Sequence, residues 1–298
     1  MDARSIAEAL TGKNLPRRDY YVVCCPCHDD KRPSLSISDG DKGLVVKCHT
    51  GCDPLDILAA IRRRVGTSKP SDSPGQRREK PEHTVEETLA YVEKHWRRTV
   101  PLPDTTGDRY LIKRKVDVRL IPDHGGFRWL RDCPWGERNK TGCIVARYSD
   151  ALTGELRGLW RRPPIDGVKP MSLGPHKGCV IRLWPDEDVT AGLVIGEGPI
   201  TAAAAALNIE HKGTLLQPAW AAGNRGNLAD FPVLAGVDAL TILVDADEPD
   251  PKEPRGWGQA AAAQCAKRWH EAGRYVVRLT PDELGKDFAD LALREAVR

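Results

Sequence analysis

Cys25 and His28 form a Cys-x2-His pair in CPCHDDKRPSLSISDG, and Cys48 and Cys52 form a Cys-x3-Cys pair in CHTGC. Soft nitrogen and sulfur donors in two short-spaced pairs are what a tetrahedral structural zinc ion takes. The stretch between the pairs suits a β-hairpin, with SLSIS and GLVVKC as strands and DGDKG as the turn. Cys24, Cys27 and His49 are spare donors within reach, and Cys24 with Cys27 is itself a Cys-x2-Cys pair, so spacing alone leaves the register open. A unit of this size buries too little apolar area to fold unaided, and a metal would supply the missing stability.

A second chemistry stands further along. Glu197 ends the apolar run LVIGEG, Asp245 and Asp247 end LTILVDAD, and Asp287 and Asp290 lie in GKDFADL after the next apolar run. If those runs are parallel strands, their C-terminal ends share one edge, where ligands bind. Carboxylates gathered there repel one another unless a cation neutralises them. Hard oxygen ligands with open positions suit Mg2+ or Mn2+ that also touches phosphate.

The elements that must position these residues follow from periodicity and composition. DPLDILAAIRRR reads as a helix capped by Asp53, with Leu55, Ile57, Leu58 and Ile61 at helical spacing. Gly66 to Thr84 is rich in Pro, Ser, Gly and charge and reads as a flexible linker. TVEETLAYVEKHWRR predicts a helix with Val85, Leu89 and Val92 on one face, and GCIVARYSD and ELRGLWRR are strand-like. From about Asp188 strands alternate with helices: AGLVIGEG, PITAAAAALNI, GTLLQPAWAAGN, ALTILVDAD, GWGQAAAAQCAKRWHEAG and RYVVRLT. That alternation predicts a mostly parallel sheet under covering helices. The expected class is α/β, α+β overall, in four parts: a small zinc-ribbon-like β domain (1–65), the linker (66–84), a mixed α+β basic subdomain (85–187) and a domain with a mostly parallel sheet (188–298).

Bulk properties narrow the function. The 298 residues carry a net charge of only +3, so bulk charge does not by itself predict nucleic-acid binding, but Arg62–Lys80 and Arg109–Arg119 are basic. No apolar run reaches transmembrane length and the N-terminus lacks the apolar core of a signal peptide, so a cytoplasmic location is expected. In a reducing compartment, nine unevenly clustered cysteines argue for metal rather than disulfides. TGKNLP lacks the second glycine and the Lys-Ser/Thr pair of a phosphate-binding Walker A loop.

Two resemblances sharpen these readings. CPCHDDKRPSLSI followed by CHTGC resembles the CHC2-type zinc-binding domain of bacterial and phage DNA primases. On that match Cys25, His28, Cys48 and Cys52 are the zinc ligands and Cys27 falls at a variable position. The three-residue gap between Cys48 and Cys52 departs from the cellular enzymes, which usually have two. Glu197-Gly198, Asp245-Ala246-Asp247 and Asp287, with Gly223 in AAGN between them, resemble the TOPRIM pattern shared by primases, topoisomerases and some nucleases, over about residues 188 to 292. The insert EPDPKEPRGWG departs from it, since the family places a glycine almost directly after its Asp pair.

The stretch GELRGLWRRPPIDGVKPMSLGPHKG resembles the basic segment of the primase RNA-polymerase domain, which implies nucleotide and template binding by Arg161 or Arg162, Lys169 and Lys177. RYLIKRKV resembles a Tyr-Leu-x-x-Arg segment of phage-type members, with its role left open.

Together the resemblances imply a phage- or plasmid-encoded DNA primase that copies single-stranded DNA into short RNA primers from NTPs. Its structural zinc would sit on Cys25, His28, Cys48 and Cys52. Its catalytic Mg2+ or Mn2+ would sit on Glu197, Asp245, Asp247 and Asp287. Without a Walker A loop, a separate replicative helicase is the expected partner. The competing readings are a TOPRIM-type nuclease and a non-catalytic zinc-dependent DNA-binding accessory protein of replication. A topoisomerase fits less well, because it needs a tyrosine nucleophile in a domain for which the chain has little room.

Overall fold

A computed structural model describes residues 2–11, 16–17, 20–30, 33–40, 43–65, 84–136, 139–246, 253–254 and 256–295. The chain divides into two units, Met1–Lys80 and Pro81–Arg298. Residues 66–83, where most of the expected linker falls, lie outside the described residues, and so does Asp247. No helix among the described residues is long and apolar enough to cross a membrane.

The first unit contains helix α1 (Ala3–Thr11), strands β1 (Tyr20–Val23), β2 (Leu35–Gly40) and β3 (Gly43–Cys48), and helix α2 (Pro54–Val65). The strands are antiparallel, with Leu35 opposite Cys48 and Ile37 opposite both Val46 and Tyr21. Leu35 and Ile37 alternate inward with Ser36 and Ser38, as a sheet with one buried face requires. The hairpin predicted between the ligand pairs is therefore present. Helix α2 is capped as expected: Asp53 accepts from the Leu55 N–H at 2.7 Å. Its buried face is Ile57, Ala60 and Ile61, while Leu55 is exposed.

The second unit opens with helices α3 (Val85–Trp96) and α4 (Thr106–Ile112). Thr84 and Glu87 form a reciprocal capping box at the start of α3. The face α3 buries carries Val92 and His95, with Leu89 half-buried, and the expected third member Val85 is exposed. Four antiparallel strands follow, β4 (Arg128–Trp135), β5 (Asn139–Asp150), β6 (Leu156–Arg162) and β7 (Met171–Leu173), and then β8 (Cys179–Arg182). The last part is β9 (Gly192–Gly196), α5 (Pro199–Asn208), β10 (Ala219–Ala221), α6 (Arg225–Ala229), β11 (Ala239–Leu243), α7 (Trp257–Glu271), β12 (Tyr275–Leu279) and α8 (Phe288–Glu295).

Strands β12, β11, β9 and β10 are parallel neighbours in that order. Strand β8 pairs antiparallel with β10 on one side and with the end of β5 on the other. One sheet thus runs through both parts that composition separates near residue 188. Both faces of the parallel strands are covered. On one side Val194, Ala219, Ala221 and Leu243 join a core with Tyr148, the alanines of α5, and Phe288 and Ala292 of α8. On the other, Leu193, Ile195, Trp220 and Ile242 pack with Leu228 of α6, Phe231 just beyond it, and Cys265 and Trp269 of α7. Residues alternate sides along each strand, and small alanines let α5 lie close on the sheet: a Cβ on Gly196 would meet Ala202 Cβ at 3.3 Å.

Candidate functional sites

In the first unit, the hairpin ends bring Cys25, His28, Cys48 and Cys52 together so that one ligand atom of each lies within 4.8 Å of the others. Tetrahedral zinc with bonds of about 2.0–2.3 Å needs ligand atoms about 3–4 Å apart, so the donor set and its convergence fit that ion. Of the donors that spacing leaves open, these four converge, while Cys24 and Cys27 stand outside the group and His49 Nε2 lies 2.9 Å from Ser36 Oγ.

The surrounding polar groups orient the ligands. His28 turns Nδ1 toward Cys52 Sγ at 3.2 Å. Its Nε2 lies 3.2 Å from Thr50 Oγ1 and 3.7 Å from Asp30 Oδ2. Asp30 accepts from the Cys25 N–H at 2.8 Å, the Ser34 N–H at 3.2 Å and the Ser34 hydroxyl at 2.5 Å. One carboxylate oxygen therefore fixes the Cys25 backbone and faces a ring nitrogen of His28, the kind of outer partner that orients a metal-bound imidazole. Nothing in the spacing of the cysteines singles Asp30 out. Burial pushes the Cys25 thiol up to about 12. Cys48 is also penalised by burial, but hydrogen bonds from Thr50, Cys52 and Ser34 outweigh it and hold the thiol at about 5.

In the second unit, register places the acids. Ile195 of β9 pairs with Ile242 of β11, so Glu197 and Asp245 leave neighbouring parallel strands at the same edge. The exit of β11 is tied to the Asp287 loop: the Ala246 N–H donates to the Lys286 carbonyl at 3.0 Å, and the Gly285 N–H to that of Ala246 at 2.6 Å. Asp287 caps α8 by accepting from the Asp290 N–H at 2.9 Å, and its other oxygen accepts from Thr201 Oγ1 of α5 at 3.2 Å. Asp290 returns the cap to the Asp287 N–H at 3.3 Å. Glu197, Asp245 and Asp287 are thus carried to one edge, but among the described residues they do not close into a compact group like the Cys/His one.

The loop after β10 completes the edge. Gly223 has φ +77°, and an added Cβ would strike the Tyr148 ring at 2.3 Å, so a side chain is excluded on both counts. Its N–H donates to the Glu197 carbonyl at 2.8 Å, and its own carbonyl accepts from the Tyr148 hydroxyl at 3.1 Å. Burial pushes the Tyr148 phenol up, which keeps it a donor.

The expected cations take different places. Arg161 is 5% exposed and donates to the carbonyls of Pro134 and, at 3.1 Å, Ser172. Arg162, half-buried, donates to the Tyr110 hydroxyl at 2.7 Å. Lys169 and Lys177 are exposed. A recess of about 570 Å³ beside Tyr110 is lined by Arg109, Lys113, Arg114, Arg131 and Trp129. The Arg114 guanidinium lies 3.8 Å from the Tyr110 ring centre.

Comparison with known proteins bears on the second unit. Residues 192–297 match the family model of the Toprim domain. A solved structure of bacteriophage T7 lagging-strand DNA polymerase, interacting with primase domains of two gp4 subunits bound to an RNA/DNA hybrid and dTTP, contains a similar chain. It is 15% identical, with a TM-score of 0.37, over 58% of this chain and 79% of that one. No curated protein matches the chain.

Proposed function

We propose that this protein is a DNA primase that makes short RNA primers on single-stranded DNA by metal-dependent nucleotidyl transfer from NTPs. The observation that carries the reading is that Glu197 and Asp245 leave neighbouring parallel strands at one carboxyl edge, within the residues that match the Toprim domain. The Cys25, His28, Cys48 and Cys52 group supports it from the other unit, since its donors fit structural zinc.

Glu197 and Asp245, with Asp247, would hold the divalent ions. Bound there, such ions activate a 3′-hydroxyl and stabilise the departing pyrophosphate. Asp287, whose oxygens each accept one hydrogen bond, from Thr201 and the Asp290 N–H, keeps lone pairs for an ion and would join that set of acids. Lys169, Lys177 and Arg162 supply positive charge for the triphosphate and template. The recess of Arg109, Lys113, Arg114 and Arg131 beside Tyr110 and Trp129 has the cations and stacking rings that a single strand uses. No side-chain nucleophile is required, because positioning and charge neutralisation lower the barrier. A separate replicative helicase remains the expected partner.

The test is primer synthesis on mixed-sequence single-stranded DNA with labelled NTPs and Mg2+ or Mn2+, comparing wild type with Asp245→Ala. Short products that vanish in the variant are expected. Wild type that leaves no product on a cognate template, with zinc content verified, refutes the polymerase reading. Shortened template would then identify a nuclease.

A further inference from the structure

Asn227 is a buried polar residue, 5% exposed, that none of the chemistry above uses. It stands in α6, a short helix, yet its bonds reach a distant loop. Its Oδ1 accepts from the Gly178 N–H at 3.0 Å, and its Nδ2 donates to the His176 carbonyl at 2.8 Å. These two groups flank Lys177, so one amide grips the backbone on both sides of that residue. The same Nδ2 donates to the Ala222 carbonyl at 3.1 Å, and the Asn227 N–H donates to Asn224 Oδ1 at 2.9 Å. Ala222 and Gly223 are in turn bonded to Gly196 and Glu197, through N–H groups that donate to those carbonyls at 2.8 Å.

A second link runs in parallel. The His176 ring stacks on Tyr148 with centroids 5.1 Å apart and an interplanar angle of 26°. Its Nδ1 is 3.0 Å from the Gly174 carbonyl, and the Tyr148 hydroxyl donates to Gly223. The segment bearing Lys177 and the turn bearing Glu197 are therefore joined by side chains that stand behind the edge rather than on it.

We infer that Asn227 is a positioning residue that fixes Lys177 against the carboxylate edge, so that a phosphate-facing cation and the metal-holding acids are presented as one unit. A carboxamide suits this role, because only a side chain that both donates and accepts can hold a carbonyl and an N–H two residues apart. A buried amide satisfied on every side also fixes one arrangement of the loops around it. The inference rests on the reading of Lys177 as a triphosphate-binding cation in a primase.

The experiment is a double-mutant cycle on the full chain, Asn227→Ala and Lys177→Ala singly and together, read as KM for NTP and kcat in primer synthesis. Amide exchange at Gly178 is measured alongside. Asn227→Ala is expected to raise KM about tenfold with kcat changed less than about twofold. In the Lys177→Ala background it should add almost nothing, because the residue it positions is gone. Gly178 exchange should quicken while β9 and β11 stay protected.

Losses that multiply in the double variant, or Gly178 exchange that does not change, overturn the inference. Should Asn227→Ala fail to fold, Asn227→Asp carries the same cycle, since it keeps the acceptor for Gly178 and loses the donor to His176 and Ala222. Wild type that is active but gives multiplicative losses sinks the positioning role alone. Wild type with no primer synthesis sinks the primase reading and this inference with it.

Discussion

The two candidate metal sites are built on opposite plans. In the first unit four donors close around a point, and two of them, Cys25 and Cys48, are members of the small core itself. In the second unit the acids Glu197, Asp245 and Asp287 stand half-buried along a sheet edge. A single thiolate at Cys48, beside Cys25 and Cys52 thiols pushed up by burial, tolerates close contact before metal arrives, whereas several carboxylates held that near one another would repel. The first site is therefore bound up with folding. On this plan the second would be emptied without disturbing the sheet, which would leave open coordination positions for phosphate.

The largest effect tests this contrast directly. Removing metal from the first unit, by a strong chelator or by Cys48→Ser, should unfold that unit and leave the second folded, since structural zinc contributes about 10–16 kcal/mol at neutral pH. Amide exchange resolved by segment would show β1–β3 losing protection while β9–β11 keep theirs. Loss of both units together would break the comparison. Next in size, Asp245→Ala should lower primer synthesis by about a thousandfold or more. Its melting temperature should stay within a few degrees of wild type, because the acid stands half-buried where β11 leaves the sheet. A large fall in melting temperature would show that the edge, too, is structural.

The two plans were not equally legible in the sequence. The convergence of Cys25, His28, Cys48 and Cys52 was legible, because two short-spaced pairs flanking a hairpin constrain geometry locally. Glu197 and Asp245 were legible for a different reason: each follows an apolar run, and parallel strands with one crossover hand place their ends together. What periodicity could not show was sharing between distant segments. Asp30, Tyr148 and Asn227 act through backbone groups that no regular spacing connects to them, and such bonds leave no signal in the pattern. Arg161 and Arg162 are adjacent in sequence, and only the pleat of β6 turns one inward to carbonyls and the other toward Tyr110. The burial of α3 through Val92 and His95, with Val85 left exposed, was likewise decided by what packs on it.

A smaller effect sharpens the first plan. Asp30→Asn keeps the shape of the side chain but removes the charge that faces His28 Nε2 and weakens the acceptor for Cys25 and Ser34. Zinc affinity should fall about 10- to 100-fold, with the fold of the zinc-loaded unit unchanged. Competition with a chromophoric chelator measures it. Affinity equal to wild type would reduce Asp30 to a turn-forming residue.

The smallest effect concerns how the second unit holds together without metal. Asp108 is 2% exposed, accepts from the Asp104 N–H at 2.8 Å, and pairs with Arg119 at 2.8 Å. Burial by itself would raise its carboxyl, but the Arg119 guanidinium and the backbone donor outweigh it and hold the group below the ordinary carboxylate value. A depressed folded value means that the unfolded chain takes up a proton first as pH falls. The stabilisation is therefore complete above about pH 4–5, where the unfolded carboxyl is ionised, and is lost as pH drops through the folded value. Asp108→Asn should lower the second unit's melting temperature by about 2–4 °C at neutral pH. That difference should shrink toward zero in acid, where wild type has lost the same charge. A difference that stayed constant down the pH range would assign the loss to the Asp104 turn rather than to the ion pair.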